Sequence, residues 1–193
     1  MTSAAEELKA RILAEGKNLG DGILKIDSIL NHQLDTQLMM ACGEEFARRF
    51  ASYGVTRILT AEVSGIAPAM AAGYAMKVPV VYARKTKPVT MYGPIFLETA
   101  PSHTKGMEVN LMVSAEFMPA GERVLIIDDF LASGKTLKSL VRIVREAQCT
   151  LVGIGCVVEK TFEAGREILS KYDIPIETIA QIVSMDDGQI VLA

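Results

Sequence analysis

The sequence lacks an excess of positive charge and lacks long apolar runs. Its 193 residues include 20 Lys and Arg against 23 Asp and Glu, a net charge of −3, whereas non-specific binding to nucleic acid depends on a basic surface. No apolar run approaches the length of about 18 residues that a membrane-spanning helix needs. We therefore expect neither a nucleic acid nor a membrane as a partner.

Cysteine is also scarce. Cys42, Cys149 and Cys156 form an odd, unpatterned set within apolar stretches, which favours small core residues in a reducing compartment over a redox role. The first residues lack the basic segment followed by an apolar segment that marks a secretory signal. We expect a cytoplasmic enzyme.

Length and composition predict one globular domain. Half of the residues are apolar and 22% are charged, as in ordinary globular proteins, and the chain suits a single domain over residues 1–193. Apolar strands predicted over residues 55–61, 78–83 and 151–158 alternate with helices, which indicates the α/β class with parallel strands.

Helix signals are clear in the N-terminal part. Residues 3–15 begin with a capping pattern at Ser3 and place three apolar residues on one predicted face: Leu8, Ile12 and Leu13. A second helix is predicted from a cap at Asp35 to about Tyr53.

Residues 124–136 are the most informative stretch. Four apolar residues predict a buried strand, and Asp128 and Asp129 are expected at its end, because two adjacent carboxylates are almost never both buried without partners. Small residues follow, and a helix is predicted from near Thr136. The N–H groups of such a helix start can hold a phosphate, and the carboxylates can hold sugar hydroxyls or Mg²⁺.

A nucleoside-triphosphate loop is excluded at this position. Gly134, Lys135 and Thr136 match the end of a P-loop, but that loop needs a glycine where this chain has Asp129. A carboxylate there would also repel a triphosphate. A capped turn from strand to helix that binds no ligand remains the alternative.

Two stretches have little regular periodicity. Residues 23–34 thread polar side chains through an apolar sequence, which suits a flap over a ligand and an ordinary connection about equally. Residues 86–110 are rich in proline, glycine and polar residues; a stretch of this kind inside a compact domain is typical of a lid or arm, with a disordered loop as the alternative. A strand is expected at residues 111–117.

Residues 124–136 resemble the signature of the type I phosphoribosyltransferases. The resemblance implies a mainly parallel central sheet flanked by helices, with a small hood and a flexible lid. It also implies that Asp128 and Asp129, the candidate catalytic residues, contact the ribose hydroxyls of phosphoribosyl pyrophosphate and hold Mg²⁺ directly or through water. The loop that would hold the 5′-phosphate consists of Ala132, Ser133, Gly134, Lys135 and Thr136.

The resemblance extends along the chain. A turn formed by Val63, Ser64 and Gly65 stands where the family binds pyrophosphate, residues 86–110 stand at the lid, and residues 16–36 with C-terminal residues stand at the hood. The chain is similar nearly end to end to the bacterial members that act on xanthine.

That similarity implies specific contacts, each with a plainer alternative. Leu24, Asn31 and Lys160 would contact the purine, and Lys85, or Arg84 beside it, would reach pyrophosphate across a homodimer interface. Asn31 could instead cap the following turn, Lys160 could be a solvated charge at a strand end, and Arg84 and Lys85 could be surface charges.

The choice of base follows from two residues. A Lys160 ammonium that donates to a purine carbonyl favours 6-oxopurines over adenine. Enzymes of this family that use hypoxanthine and guanine usually carry Asp where this chain has Ala132, and that Asp is proposed to handle the proton on the purine N7. A base that loses its proton easily, as xanthine does relative to hypoxanthine, needs less help of this kind.

The predicted activity is transfer of the phosphoribosyl group to xanthine, which gives xanthosine 5′-monophosphate and pyrophosphate in purine salvage. An enzyme of this family that prefers guanine or hypoxanthine is one alternative. The other is a regulator without catalytic activity that uses the pocket to sense phosphoribosyl pyrophosphate.

Overall fold

The computed structural model describes residues 2–101 and 108–193. Its α-helices are α1 (Ala4–Glu15), α2 (Thr36–Arg49), α3 (Ile66–Met76), α4 (Lys135–Glu146) and α5 (Gly165–Ser170). Its strands are β1 (Lys17–Asn18), β2 (Leu24–Lys25), β3 (Arg57–Ala61), β4 (Val80–Ala83), β5 (Ile95–Pro101), β6 (Glu108–Ser114), β7 (Arg123–Leu131), β8 (Thr150–Lys160), β9 (Ile176–Ser184) and β10 (Val191–Leu192).

A six-stranded sheet forms the centre of the fold. Its strand order is β10-β9-β8-β7-β3-β4, and every neighbouring pair is parallel except β9 with β10. The ribbons β1–β2 and β5–β6 are separate and antiparallel. The predicted α/β class with a mainly parallel sheet is confirmed.

Helices cover both faces of this sheet. Along β7, Leu125 and Ile127 belong to the core shared with α1, α2 and α3, whereas Val124 and Ile126 belong to the core shared with α4 and α5. Successive residues of a strand point to opposite faces. The continuous apolar run is therefore needed because both faces of β7 are buried.

Two glycines of β8 make room for aromatic rings of the α2 segment. A Cβ atom on Gly153 would lie 2.3 Å from the Phe50 ring, and one on Gly155 would lie 2.8 Å from the Phe46 ring. Both phenylalanines are buried. Glycine at alternate strand positions thus lets α2 pack closely on the middle of the sheet.

The N-terminal helices begin as predicted, but α2 ends at Arg49 rather than near Tyr53, and a separate 3₁₀ turn over Ala51–Tyr53 follows it. Ser3 and Glu6 make a reciprocal capping box at the start of α1, and the Leu38 N–H donates to the Asp35 side chain at the start of α2. Leu13 is 60% exposed, so the prediction that it shares the buried face of Leu8 and Ile12 is wrong.

The predicted strand end at Asp128 and Asp129 is wrong. β7 continues to Leu131, and its pairing with β8 extends to Leu131 opposite Glu159. The strand can continue because the carboxylates open into a cleft rather than into the apolar core.

The stretch between β4 and α4 is more regular than predicted. Strand β5 lies within residues 86–110, and the strand expected at residues 111–117 runs from Glu108 to Ser114 instead. The two strands pair, which supplies backbone partners that periodicity alone does not reveal. Residues 102–107 of the predicted lid lie outside the described residues.

The cysteines and helices bear on two further expectations. Cys42 and Cys156 are buried as predicted, Cys149 is only partly buried, and all three are unpaired. Within residues 2–101 and 108–193, no helix combines the length and apolar character needed to cross a bilayer.

Candidate active site

A cleft of about 1000 Å³ lies where β3, β7 and β8 end. Ligands of open α/β sheets gather at the carboxyl ends of the strands. Most of the predicted site residues line the cleft: Leu24, Asn31, Val63, Ser64, Gly65, Lys85, Asp128, Asp129, Ala132, Gly134, Lys135, Thr136 and Lys160. Ser133 and Arg84 belong to the predicted set but are not among the lining residues.

The acid pair lies at the centre of the cleft lining. Asp128 is only 6% exposed, and its Oδ1 accepts the Asp129 backbone N–H at 3.1 Å. Burial, followed by the neighbouring Asp129 charge, raises the pKa of Asp128 well above its ordinary value. Burial also raises the pKa of Asp129. Two desolvated like charges of this kind favour a ligand that brings hydroxyl donors or a cation.

Gly65 lets the predicted pyrophosphate turn lie directly against this pair. A Cβ atom at Gly65 would be 2.3 Å from Asp128 Oδ1 and 2.3 Å from Thr60 Oγ1, distances that no side chain tolerates. The turn precedes α3, which begins at Ile66. Glycine is therefore required at position 65 for this close approach.

Asn31 connects the predicted hood to the acid pair and the glycine turn. Its Nδ2 donates to Ser64 Oγ at 3.1 Å and to Asp129 Oδ2 at 3.3 Å. Asn31 ends a π-helical turn, Asp27–Asn31, which follows β2. These bonds point into the cleft, so they favour a site role over a cap on the following turn.

The predicted phosphate loop turns directly into α4. Gly134 precedes that helix with a φ of 71°, a left-handed conformation that favours glycine. Lys135 and Thr136 begin the helix, so their N–H groups are among those left without intrahelical partners. The geometry suits an anion at the helix start.

Gly165 supports the phosphate loop from outside the cleft. A Cβ atom on Gly165 would lie 2.1 Å from the Ala132 carbonyl oxygen, and a Cβ atom on Gly134 would lie 2.9 Å from Gly165 Cα. The two segments can be this close only because both residues are glycine. The requirement for Gly165 has no local signal in the sequence.

Lys160 is held inside the cleft at the end of β8. Its Nζ donates to the Gly22 carbonyl at 2.6 Å, lies 5.5 Å from the centre of the Phe130 ring and lies 3.8 Å from Glu163 Oε1. Burial lowers the pKa of Lys160, and the Glu163 carboxylate opposes that shift. A partly buried ammonium with these neighbours is not a fully solvated strand-end charge.

Arg84 and Lys85 differ in their placement. Arg84 Nε forms an ion pair with Glu62 Oε2 at 2.7 Å, and the Lys85 N–H donates to Glu62 Oε1 at 2.6 Å. The Lys85 side chain lines the cleft of its own chain, where its charge opposes the rise in the pKa of Asp128. Arg84 is therefore used to hold Glu62.

Several lining residues were missed at the sequence level. They are adjacent to predicted site residues or belong to the hood: Lys25, Asp27, Glu62, Phe130, Phe162 and Glu163. Phe130 directly follows the acid pair, and Phe162 and Glu163 lie two and three residues after Lys160. Their closeness in sequence to predicted site residues was the available signal, but closeness in sequence does not show which side chains point into the cleft.

The donor set fits Mg²⁺ held jointly with a substrate. Within residues 2–101 and 108–193, no cluster of three or more His, Cys, Asp or Glu side chains is placed to hold a metal. Asp128 and Asp129 supply two carboxylates whose charges repel each other. Mg²⁺ in enzymes is commonly held by one or two carboxylates together with substrate phosphate oxygens and water.

Comparisons with known proteins agree with this geometry. The phosphoribosyl transferase domain matches residues 26–187. A xanthine phosphoribosyltransferase from Deinococcus deserti is 51% identical over 92% of this chain and 92% of its own length. One from Moorella thermoacetica is 47% identical over 97% of this chain and 96% of its own.

A solved structure supports the fold separately. The adenine phosphoribosyltransferase from Thermoanaerobacter pseudethanolicus superposes with a TM-score of 0.76 over 92% of this chain and 99% of that one, at 23% identity. Identity this low is informative about the fold alone. The match of the domain over most of the chain and the closely similar relatives establish that this chain belongs to the phosphoribosyltransferase family.

Proposed function

We propose that this chain is an enzyme that transfers the 5-phosphoribosyl group from phosphoribosyl pyrophosphate to xanthine. The products are xanthosine 5′-monophosphate and pyrophosphate, so the reaction serves purine salvage. The observation that carries the proposal is that one cleft holds an acid pair, a helix-start phosphate loop, a glycine turn and a buried lysine. The relatives named for this activity support it.

Three groups of residues bind three parts of phosphoribosyl pyrophosphate. The ribose 2′- and 3′-hydroxyls donate to Asp128 and Asp129, and the 5′-phosphate accepts from the loop of residues 132–136, which includes Ser133. The pyrophosphate lies against the turn of Val63, Ser64 and Gly65, with the Lys85 ammonium beside it. When the substrate is bound, the ribose hydroxyls donate hydrogen bonds to the acid pair, and these bonds offset the repulsion between the two desolvated carboxylates.

The reaction exchanges one bond at the ribose C1 for another. The bond from C1 to the pyrophosphate oxygen breaks and that oxygen takes the electron pair, while a purine nitrogen that has lost its proton forms the new bond to C1. The transition state carries positive charge on the sugar, which the carboxylates of Asp128 and Asp129 stabilise. Mg²⁺, when bound, neutralises charge on the pyrophosphate and ribose oxygens.

The purine site lies between the hood and the end of β8. Leu24 packs on the base, Asn31 donates or accepts at its edge, and the Lys160 ammonium donates to an acceptor of a 6-oxopurine. Ala132 offers no carboxylate to take a proton from the base, so the base must lose its proton readily. Xanthine meets this condition better than hypoxanthine does.

The surrounding segments complete the proposal. Residues 16–36 with C-terminal residues act as a hood, and residues 86–110 act as a lid that excludes water from a reaction prone to hydrolysis, all within one domain. Both substrates are polar metabolites, and the pyrophosphorylated sugar is too highly charged to cross a membrane unaided, so the enzyme works in the cytoplasm.

A homodimer is proposed from exposed apolar residues near the glycine turn. Four large apolar side chains of the turn, α3 and β4 are well exposed: Val63, Met70, Tyr74 and Tyr82, at 70%, 53%, 75% and 42%. An apolar group of this kind is typical of an interface. The family resemblance also implies that Lys85, or Arg84 beside it, reaches the pyrophosphate of the partner's site. Because Arg84 is paired with Glu62 and the Lys85 side chain lines its own cleft, such a contact would require one of these side chains to reorient.

Steady-state assays with four bases test the activity. With phosphoribosyl pyrophosphate and Mg²⁺, kcat/KM should be highest for xanthine, lower for guanine and hypoxanthine, and lowest for adenine. Lys160→Met should lower kcat/KM for xanthine roughly 10- to 100-fold, since a charge-assisted hydrogen bond contributes about 1.5–3 kcal/mol. The same change should narrow the gap between xanthine and adenine.

The matched control is Lys171→Met, which removes an exposed ammonium outside the cleft and should leave all four values within twofold. A wild-type preference for adenine would contradict the proposed activity. An unchanged ratio of kcat/KM for xanthine to kcat/KM for adenine in Lys160→Met would remove Lys160 from the purine site.

Asp129→Asn separates a catalytic role of the acid pair from a structural one. We expect kcat/KM for phosphoribosyl pyrophosphate to fall roughly 10- to 100-fold, because a charge-assisted bond to the sugar becomes a neutral one. The melting temperature at pH 7 should not fall, since the change removes a charge whose burial raises the pKa of Asp129. Thermal melts and kinetics measured on one preparation check both parts.

The raised pKa of Asp129 predicts how its contribution to the free energy of unfolding changes with pH. The unfolded chain releases the Asp129 proton near the ordinary pKa of 3.8, whereas the folded chain retains it to higher pH. The contribution of Asp129 to wild-type stability therefore falls as pH rises through that window, and any stability gain of Asp129→Asn should shrink as pH is lowered toward 3.8. The control is Asp173→Asn, at an exposed position. A lowered melting temperature with unchanged kinetics in Asp129→Asn would mean that the acid pair has a structural role only.

Tyr74→Glu tests the proposed dimer. Sedimentation should show the wild-type chain at twice its mass of 20.9 kDa and shift the variant toward a single chain, because a charge at an apolar interface is costly. Leu13→Glu, at a similarly exposed position on α1, should leave the dimer intact. A monomeric wild-type chain with full activity would exclude the dimer.

A further inference from the structure

Glu159 is a buried carboxylate that the proposed reaction does not use. Its side chain is 1% exposed, and it is not among the residues that line the cleft. It immediately precedes Lys160 at the end of β8. A buried charge with no contact to substrate needs an explanation, because its desolvation costs free energy unless it is fully paired.

Both carboxylate oxygens of Glu159 are satisfied by an extensive set of donors. Arg166 makes a two-pronged contact, Nε to Oε1 at 2.6 Å and Nη2 to Oε2 at 2.6 Å. Thr178 Oγ1 and Gln181 Nε2 donate to Oε2 at 3.0 and 2.9 Å. Burial opposes ionisation, but Arg166 and these donors hold the pKa of Glu159 below its ordinary value.

These bonds connect three elements outside the cleft. Arg166 lies in α5 and also donates from Nη1 to the Ile176 carbonyl at 3.1 Å, so the guanidinium joins α5 to the ends of β8 and β9. Arg166, Thr178 and Gln181 line a second, smaller cavity of about 370 Å³. The network therefore lies apart from the substrates.

The segment between Glu159 and Arg166 borders both the proposed purine site and the proposed phosphate loop. Lys160, Phe162 and Glu163 line the purine side of the cleft. At the other end of the segment, Gly165 lies against the Ala132 carbonyl and Gly134 of the phosphate loop. Glu159 and Arg166 thus close a short loop whose first half contacts the base region and whose last residue supports the phosphate loop.

We propose that the Glu159–Arg166 pair is a positioning device that sets the purine site relative to the ribose-phosphate site. The pair fixes the 160–165 loop at both ends, so that Lys160 and Gly165 keep a constant separation. Pairing of Glu159 with Leu131 across β7 and β8 links the same point to the residue before the phosphate loop. The proposal rests on the proposed function for the identity of the two substrates.

A structural role alone predicts a different outcome. A pair that only stabilised the fold would change the melting temperature and leave the substrate constants of the folded protein unchanged. A positioning pair changes substrate binding and turnover even in a protein that remains folded, since a misplacement of about 1 Å can cost up to about 100-fold in rate.

The test is the double variant Glu159→Gln with Arg166→Met, which removes both charges and so leaves neither buried unpaired. The matched control is Glu177→Gln with Arg49→Met. That ion pair joins α2 to β9 at 2.9 Å and borders the same small cavity, but it does not touch the 160–165 loop. Calorimetric binding of phosphoribosyl pyrophosphate, KM and kcat with xanthine, and thermal melts are measured for each protein.

We expect the Glu159/Arg166 double variant to bind phosphoribosyl pyrophosphate about tenfold more weakly, to raise KM for xanthine about tenfold and to discriminate less between xanthine and guanine. The Glu177/Arg49 variant should stay within twofold in every substrate constant. Arg166→Lys, which keeps the charge but loses the two-pronged contact, should lie between wild type and the double variant.

Substrate constants within twofold of wild type in the folded Glu159/Arg166 variant would overturn the proposal. If that variant fails to fold, Gln181→Met removes one of the donors to the Glu159 carboxylate and should raise the same constants two- to threefold. Unchanged constants in Gln181→Met would also overturn the proposal. Absence of xanthine turnover in the wild-type protein would refute the proposed function. The comparison of phosphoribosyl pyrophosphate binding between wild type and the Glu159/Arg166 variant would still test the positioning role of the pair.

Discussion

The acid pair of Asp128 and Asp129 is the constraint on which the site depends. Two adjacent carboxylates lie in a cleft with their pKa values raised by burial, on a strand whose two faces pack against separate apolar cores. The cost of this repulsion is relieved by a ligand with hydroxyl donors, a cation, or both. The pair is thus suited to a ligand with hydroxyl groups, such as the ribose of the proposed substrate, and to the proposed Mg²⁺.

The neighbouring elements are arranged around that pair. Gly65 permits the pyrophosphate turn to touch Asp128, and Asn31 reaches Asp129 and Ser64 from the hood. Segments far apart in the sequence therefore meet at the acids. Because Asn31 contacts Asp129, one side chain connects the predicted hood to the proposed sugar site, and a substitution in either should affect the other.

Much of the site was predictable from short-range signals. The strand, the acids, the small-residue loop and the helix start are contiguous, and the capping residues Ser3 and Asp35 identified their helices. Local patterns mark these features because local backbone chemistry creates them. The resemblance to a known family then related distant residues, such as Asn31 and Lys160, that no spacing rule connects.

The remaining features depend on tertiary contacts. The continuation of β7 beyond Asp128 depends on pairing with β8, and the requirement for glycine at 165 depends on a carbonyl 33 positions earlier, at Ala132. The inward placement of Phe130 and Glu62 likewise depends on neighbours contributed by other strands. A single sequence shows that these residues are present, but it does not show which of them lie next to one another in the fold.

A crystal structure of the enzyme with xanthosine 5′-monophosphate would test the account most directly. We predict that both ribose hydroxyls lie within hydrogen-bonding distance of the Asp128 and Asp129 carboxylates, with the 5′-phosphate on residues 132–136 and the base beside Lys160. A nucleotide bound in this cleft with its ribose turned away from the acid pair, or bound elsewhere on the chain, would contradict the central claim.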